Sequence, residues 1–489
     1  MKFLDPQLLN RFAGATGLAL VRVASQAFQF LLFLYAARVL STADFGIFSM
    51  AYAVVLGLTV LAEAGWREYV ICCDEPDEVR EASTIALASG ATMSLLGMVG
   101  LGLAQVAGTT GAFGVIGLML LPWILLRPLT VVQVGVLTRD GRLGAVAAVQ
   151  WSAELASFAA GALALWLGQG VIALAWGKLA LLVVELGGYI VCNHRLAFRV
   201  PDRAAVRKMV VFSREILSAR VLSYLQGNFT TLAIGVFFNA AAVGIYRAAT
   251  RLSGTAQEVI REPARFLGWS WLRRARDADE QVGADGTAFE SASLQFLEIV
   301  LSLGAALLAL MAVMAHPLIH VLLGAKWNDA VVLLTLLCIG GITRLVSTLT
   351  DPIFPLLGKP RLTRTLAILT TVASVVTFAL ALPFGIVAVA ASDIVAGILA
   401  LGVAVFFLVK EGGIRISQLL VVAIPSVLAV LAVFAAGAAV GELPQFAEGP
   451  NLINLVAEGL LLAVVYAVTL AAGRLLVPRR KFAAGPITA

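Results

Sequence analysis

Charge is scarce in this sequence. Asp, Glu, Lys and Arg make up 13% of its 489 residues, about half of the roughly 25% expected of a soluble domain. A chain this poor in charge and 60% hydrophobic must place most of its length in lipid. Histidine is nearly missing: only His194, His316 and His320 occur. His316 and His320 are four residues apart near the outer end of one apolar run, and two ligands alone make a poor metal site. The four cysteines include an adjacent pair, Cys72 and Cys73, and two isolated residues, Cys192 and Cys338. None has the spacing of a metal centre or a disulfide framework, so all four read as inert. Phosphate-binding, dinucleotide, zincin and serine-hydrolase signatures lack the context they need. No catalytic residues, cofactor or metal is therefore expected, and no nucleotide hydrolysis. The first apolar run is full length and has no small-residue cleavage site, which argues against a cleavable signal peptide. The preceding MKFLDPQLLNRF reads as a short interfacial helix.

Apolar runs fill the space that charge leaves. A span needs about 20 apolar residues to cross roughly 30 Å of hydrocarbon. Fourteen runs qualify: 14–38, 42–71, 82–107, 111–137, 143–168, 170–193, 211–239, 240–270, 292–323, 327–357, 360–383, 386–410, 417–440 and 449–475. The cations fall between them unevenly. Of 35 Lys and Arg, 22 lie in alternate gaps or at the span ends that border them, from Lys2 and Arg11 to Arg474, Arg479, Arg480 and Lys481, and two, Arg38 and Lys326, lie in or beside the others. By the positive-inside rule the crowded gaps are cytoplasmic, as are both termini, and the span number is even. The external gaps are very short, which argues against an acceptor-holding enzyme domain on the far side.

The opening of span 2, ARVLSTADFGIFSMAYAV, resembles the opening of span 8, GVFFNAAAVGIYRAATRL, when Gly46 is set on Gly244. The offset of 198 residues (244 − 46) equals six spans. An even number gives the halves one orientation, the signature of parallel repeats with the substrate site between two lobes. The expected organisation is an N-lobe over 1–193 (spans 1–6), a basic cytoplasmic linker over 194–210, a C-lobe over 211–410 (spans 7–12), and spans 13–14 with a basic tail over 411–489. The fold class is all-α and polytopic, with about 14 transmembrane helices. Two pseudo-symmetric six-helix lobes surround a central cavity, and two C-terminal helices follow.

Arg22, the turn AARVLSTADFGIF and the segment AVGIYRAATRL resemble the Wzx-type polysaccharide flippases. These belong to a superfamily that also holds multidrug exporters of the MATE type and the lipid II flippase. The best local motif is Arg38, Leu40, Asp44, Phe45, Gly46 and Phe48. The resemblance implies translocation of an undecaprenyl-pyrophosphate-linked oligosaccharide from the inner to the outer leaflet by alternating access. It also implies a bacterial inner membrane and membrane lipids as partners. A polymerase and glycosyltransferases of the same pathway are possible companions, and nucleic acid is not a partner. A groove for the polyprenyl tail beside the last two helices is an analogy with the lipid II flippase; a packing role is the alternative.

Eleven cations remain inside the spans, where a charge must face a partner or a watery path. Span 8 carries the clearest pattern. Stepping about 100° per residue from Arg247 puts Arg251, Glu258, Glu262 and Arg265 at about 40°, 20°, 60° and 0°. Such a stripe lines a cavity or forms a ladder of ion pairs. Arg22, Gln26 and Gln29 share one side of span 1, with Arg22 about 12 Å deep and suited to pyrophosphate. Arg220 in span 7 stands 198 residues on from Arg22, so the two could flank one pyrophosphate. Asn228 accompanies Arg220. Lys178 and Glu185 share a face of span 6, and Arg344 and Asp351 share one of span 10. The substrate-facing cations are therefore Arg22, Lys178, Arg220, Arg247, Arg251 and Arg344. Gln26, Gln29, Asn228 and Glu258 are the polar residues beside them, and Glu154, Asp351 and an isolated Asp393 are candidates for ion coupling. Glu63 and Arg67 read as an i, i+4 pair within one helix.

Overall fold

The computed structural model describes residues 25–73, 75–106, 108, 111–193, 197–282, 287–441 and 451–476. Arg22, the stretch 1–12, residues 194–196 of the linker and Arg479, Arg480 and Lys481 lie outside the described residues. Among the described residues there are helices and no strand. By packing, the chain divides into two compact units, Met1–Gly244 and Ile245–Ala489.

The first unit holds α1 (25–39), α2 (Thr42–Glu63), α3 (Trp66–Cys72), α4 (Pro76–Val106), α5 (Gly111–Met119), α6 (Leu121–Arg139), α7 (Leu143–Trp166), α8 (Ile172–Asn193) and α9 (Arg203–Phe237). It ends in the first turn of α10 (Ala240–Val282). Its main core joins Leu40, Phe48, Val55, Ile116, Leu120, Trp123 and Leu182. A second cluster sets Trp66, Tyr69 and Val70 of α3 against Val132 of α6 and Met209 of α9.

Helix starts follow side-chain capping. Ser41 Oγ accepts from the Asp44 N–H at 3.1 Å and donates to Asp44 Oδ2 at 2.6 Å. Asn239 Oδ1 accepts from the Ala242 N–H at 2.8 Å. Each supplies a partner for an amide that the first turn leaves unsatisfied. Asp202 does the same for α9, at 2.6 Å from the Ala205 N–H. The extended residue Arg199 ahead of it and Lys208 in its second turn are both strapped to α4. The Arg199 carbonyl accepts from Thr84 Oγ1 at 2.7 Å, Arg199 pairs with Asp77, and Lys208 pairs with Glu78.

The second unit holds the rest of α10, then α11 (Thr287–Val313), α12 (Ala315–Leu322), α13 (Ala330–Thr343), α14 (Ser347–Leu356), α15 (Pro360–Ala381), α16 (Ile386–Lys410), α17 (Ile416–Gly441) and α18 (Leu452–Leu476). Ala309 and Met314 form a core with Ala429 and Val433 of α17 and Leu462 and Tyr466 of α18. A polar seam backs it. Arg474 Nε lies 2.9 Å from Glu298 Oε1, and Tyr466 donates to the Ser302 carbonyl at 2.9 Å. Arg474, counted with the cytoplasmic cations of the C-terminal end, lies in the last turn of α18.

Nine described helical stretches are long and apolar enough to cross a membrane, and the chain is a multi-pass membrane protein. The other expected spans are also helical. However, α9 and α10 carry many polar residues, α7 carries Gln150 and Glu154, only residues 25–39 of the first are described, and the tenth is broken into α13 and α14. Three further runs are broken: α2 from α3, α5 from α6, and α11 from α12. An unbroken apolar run conceals such breaks.

Candidate functional site

The break between α2 and α3 sets up the largest ionic cluster among the described residues. Ala64 and Gly65 take left-handed backbone, with φ of 41° and 86°. The freed Ala62 carbonyl accepts from Trp66 Nε1 at 2.8 Å and from Ser89 Oγ at 2.8 Å. Broken backbone at membrane depth survives only when such groups find partners within the protein. Because the helix ends at Glu63, Arg67 is not its partner, and the expected i, i+4 pair does not form. Glu63 instead reaches across to α6 and α9. Its Oε1 lies 3.4 Å from Arg127 Nε, and its Oε2 lies 2.9 Å from Arg220 Nη1.

The cluster extends both ways. Arg220 Nη2 donates to both oxygens of Glu68, at 2.8 and 3.0 Å. Arg127 pairs with Glu185 of α8 and lies over the Trp123 ring, 5.3 Å from its centroid. Tyr189 O–H donates to Glu185 at 3.4 Å. Five helices thus meet through three carboxylates and two guanidinium groups. Arg127, with a quarter of its side chain exposed, is the hub that the sequence reading missed. It interrupts an apolar run as Arg22 does, so the same criterion could have found it.

Beside this cluster, Gln29 Nε2 donates to Glu154 Oε1 at 2.7 Å. Lys178 sits over the Tyr52 ring at 5.1 Å and within electrostatic reach of Glu154. Lys178 and Glu185 do share a region, but Glu185 takes Arg127 as its ion-pair partner. Gln26 is exposed, and Asn228 is half-buried and donates to the Tyr224 carbonyl at 3.2 Å.

In the second unit, Arg344 follows the last residue of α13 and pairs with Asp393 of α16. Asp393 is therefore not isolated. The break after Arg344 also takes Asp351 off the helix that carries Arg344. Arg261 and Arg265 of α10 act on Asp351 electrostatically. Along α10, Arg247 and Arg251 are half-buried, while Glu258, Glu262 and Arg265 are exposed, the last two within 3.3 Å of each other. Among the described residues no group of three His, Cys, Asp or Glu is placed to hold a metal ion.

Comparison with solved structures places this fold. The lipid II flippase MurJ in an inward closed conformation superposes with a TM-score of 0.67 at 12% identity, over 92% of this chain and 97% of that one. An inward-facing multidrug resistance MATE family transporter of the MOP superfamily gives 0.55 at 14% identity, over 78% and 93%. An outward-facing transporter of that description gives 0.51 at 17%, over 81% and 94%. At such identities the likeness is one of fold. No curated protein sequence matches the chain. A family model described as polysaccharide biosynthesis protein matches residues 36–332, more than half of the sequence, and the chain belongs to that family.

Proposed function

We propose that the protein moves an undecaprenyl-pyrophosphate-linked oligosaccharide, an exopolysaccharide or O-antigen repeat unit, from the inner to the outer leaflet of a bacterial inner membrane. Both termini lie in the cytoplasm, and transport runs by alternating access of the two sequence repeats. The observation that carries this reading is the set of incompletely buried cations within spans: Arg127, Lys178, Arg220, Arg247, Arg251 and Arg344. Cations at that depth are kept for anions or for a hydrated path, and guanidinium groups suit diphosphate oxygens. Membership of the polysaccharide biosynthesis family supports the glycan part of the substrate.

Energy comes from an ion gradient, the membrane potential or the substrate gradient. Glu154 is the best-placed coupling acid. Among the described residues it forms no ion pair and accepts a hydrogen bond from neutral Gln29. Asp393 already has Arg344. Asp351 is exposed.

Arg22→Ala and Arg247→Ala are expected to abolish glycan export in a cell that depends on this protein, with membrane levels unchanged. Full export by both variants removes the phosphate role. A second reading, a MATE-type exporter of a drug or cation, draws on the carboxylate excess around Glu63. Drug resistance conferred by expression, with glycan export intact in a deletion strain, would favour it.

A further inference from the structure

Glu63 is held like a bound ligand. Two guanidinium groups from different helices flank its carboxylate, one oxygen each, at 3.4 Å from Arg127 and 2.9 Å from Arg220. Paired guanidinium groups around a planar anion are the geometry by which arginine recognises carboxylate and phosphate alike. The protein's own side chain fills that position here. The Glu63, Arg127 and Arg220 side chains keep 15%, 25% and 26% of their surface accessible, so the position is not fully enclosed by protein. Glu63 is also the last residue of α2, next to the left-handed turn at Ala64 and Gly65. The carboxylate hangs from a helix end rather than from the middle of a packed helix.

Resting on the flippase reading above, we propose that Arg127 and Arg220 form a diphosphate-binding site and that Glu63 is its resident anion, expelled when the lipid headgroup enters. Three glutamates against two arginines leave the cluster one negative charge with Glu63 in place. A diphosphate is therefore resisted until that carboxylate swings away. The exchange breaks no covalent bond: one set of charge-assisted hydrogen bonds replaces another. The resident carboxylate spares the membrane interior two unpaired cations when substrate is absent, and it keeps the hold on the headgroup weak enough for release. Glu68 and Glu185 hold the outer sides of the two arginines and stay in place.

The test is binding of undecaprenyl diphosphate, without sugar, to the full-length protein in nanodiscs, with undecaprenol as the uncharged control. Glu63→Gln keeps the shape and removes the competing charge. It is expected to bind the diphosphate lipid about tenfold tighter, the size of one charge-assisted hydrogen bond no longer contested. Arg127→Ala is expected to weaken binding by about tenfold or more. Glu68→Gln is expected to change it less than about threefold, because Glu68 touches one arginine on its outer side. If Glu63→Gln does not yield folded protein, Glu63→Asp withdraws the charge by one methylene, and a gain of about threefold is expected. Diphosphate-dependent binding that is no tighter in the Glu63 variants, or is untouched by Arg127→Ala, overturns the inference and leaves the flippase reading standing. Equal binding of undecaprenol and undecaprenyl diphosphate by the unaltered protein overturns both.

Discussion

Gly46 and Gly244 lie against each other, backbone to backbone, and each is the other's counterpart under the 198-residue shift. A Cβ on Gly46 would collide with the Ala240 carbonyl, and a Cβ on Gly244 with the Thr42 carbonyl. Residue 240 is 42 advanced by 198, so the contact is reciprocal in the way of a two-fold interface. The helix caps obey the same shift: Ser41 binds the amide of residue 44, and Asn239 binds that of residue 242. A repeat first visible as a Gly-Ile-aromatic match is thereby a match of caps and crossing contacts.

That crossing yields the first prediction. Gly46→Ala and Gly244→Ala should each destabilise the protein by about 1–3 kcal/mol, the usual cost of overpacking a tight contact. The two values should agree within about 0.5 kcal/mol. The double variant should cost less than their sum, because one separation of the helices relieves both collisions. Thermal unfolding of the four proteins in one detergent measures this. A large effect from one glycine and none from the other would break the symmetry.

Arg344 and Asp393 give the second. Removing either partner leaves a charge in a partly buried place, so Arg344→Ala and Asp393→Ala should each cost several kcal/mol, about 3–5 in a fully buried case and less here. The double variant should recover about 1–3 kcal/mol of the summed loss. Strictly additive losses would mean that the two side chains serve different partners.

The third concerns Cys72 and Cys73, neighbours with opposite surroundings. Cys72 is exposed, whereas Cys73 is buried. Burial, followed by the hydrogen bond and negative charge of Glu78, pushes the Cys73 thiol up to about 12. At neutral pH it holds almost no thiolate, the reactive form. A membrane-impermeant maleimide should label Cys72 in inside-out vesicles and leave Cys73 unmodified. Labelling from the other face would reverse the orientation read from the alternating cations. With Cys192 and Cys338 replaced, labelling of Cys72→Ser protein would contradict the burial of Cys73.

What the sequence reveals divides by physical scale. Apolar runs and the scarcity of interior charge are properties of about 20 residues at a time, and they are legible because lipid imposes them on every span. Helix breaks are local. Ala64 and Gly65 interrupt an apolar stretch without changing its hydropathy, so Glu63 and Arg67 look like helical neighbours when they are not. Pair partners are non-local. Arg127 and Glu185 stand 58 residues apart, and Arg220 and Glu63 stand 157 apart, distances over which no periodicity speaks. Arg220 and Arg344 are visible one by one as cations within spans, and Glu63, Glu185 and Asp393 as acids; which acid holds which cation is not.

The α10 helix has 43 residues, a rod of about 65 Å against a hydrocarbon layer of roughly 30 Å. Its far end, near Arg273, Arg274 and Arg276, must stand well clear of the lipid. It remains covalently in line with Arg247 and Arg251 through Pro263, where the missing amide hydrogen softens one joint. That end is anchored to the next helix, since Asp279 accepts from the Ala288 and Phe289 amides at 3.0 and 2.8 Å, so a tilt of α10 at Arg247 and Arg251 draws the start of α11 along with it.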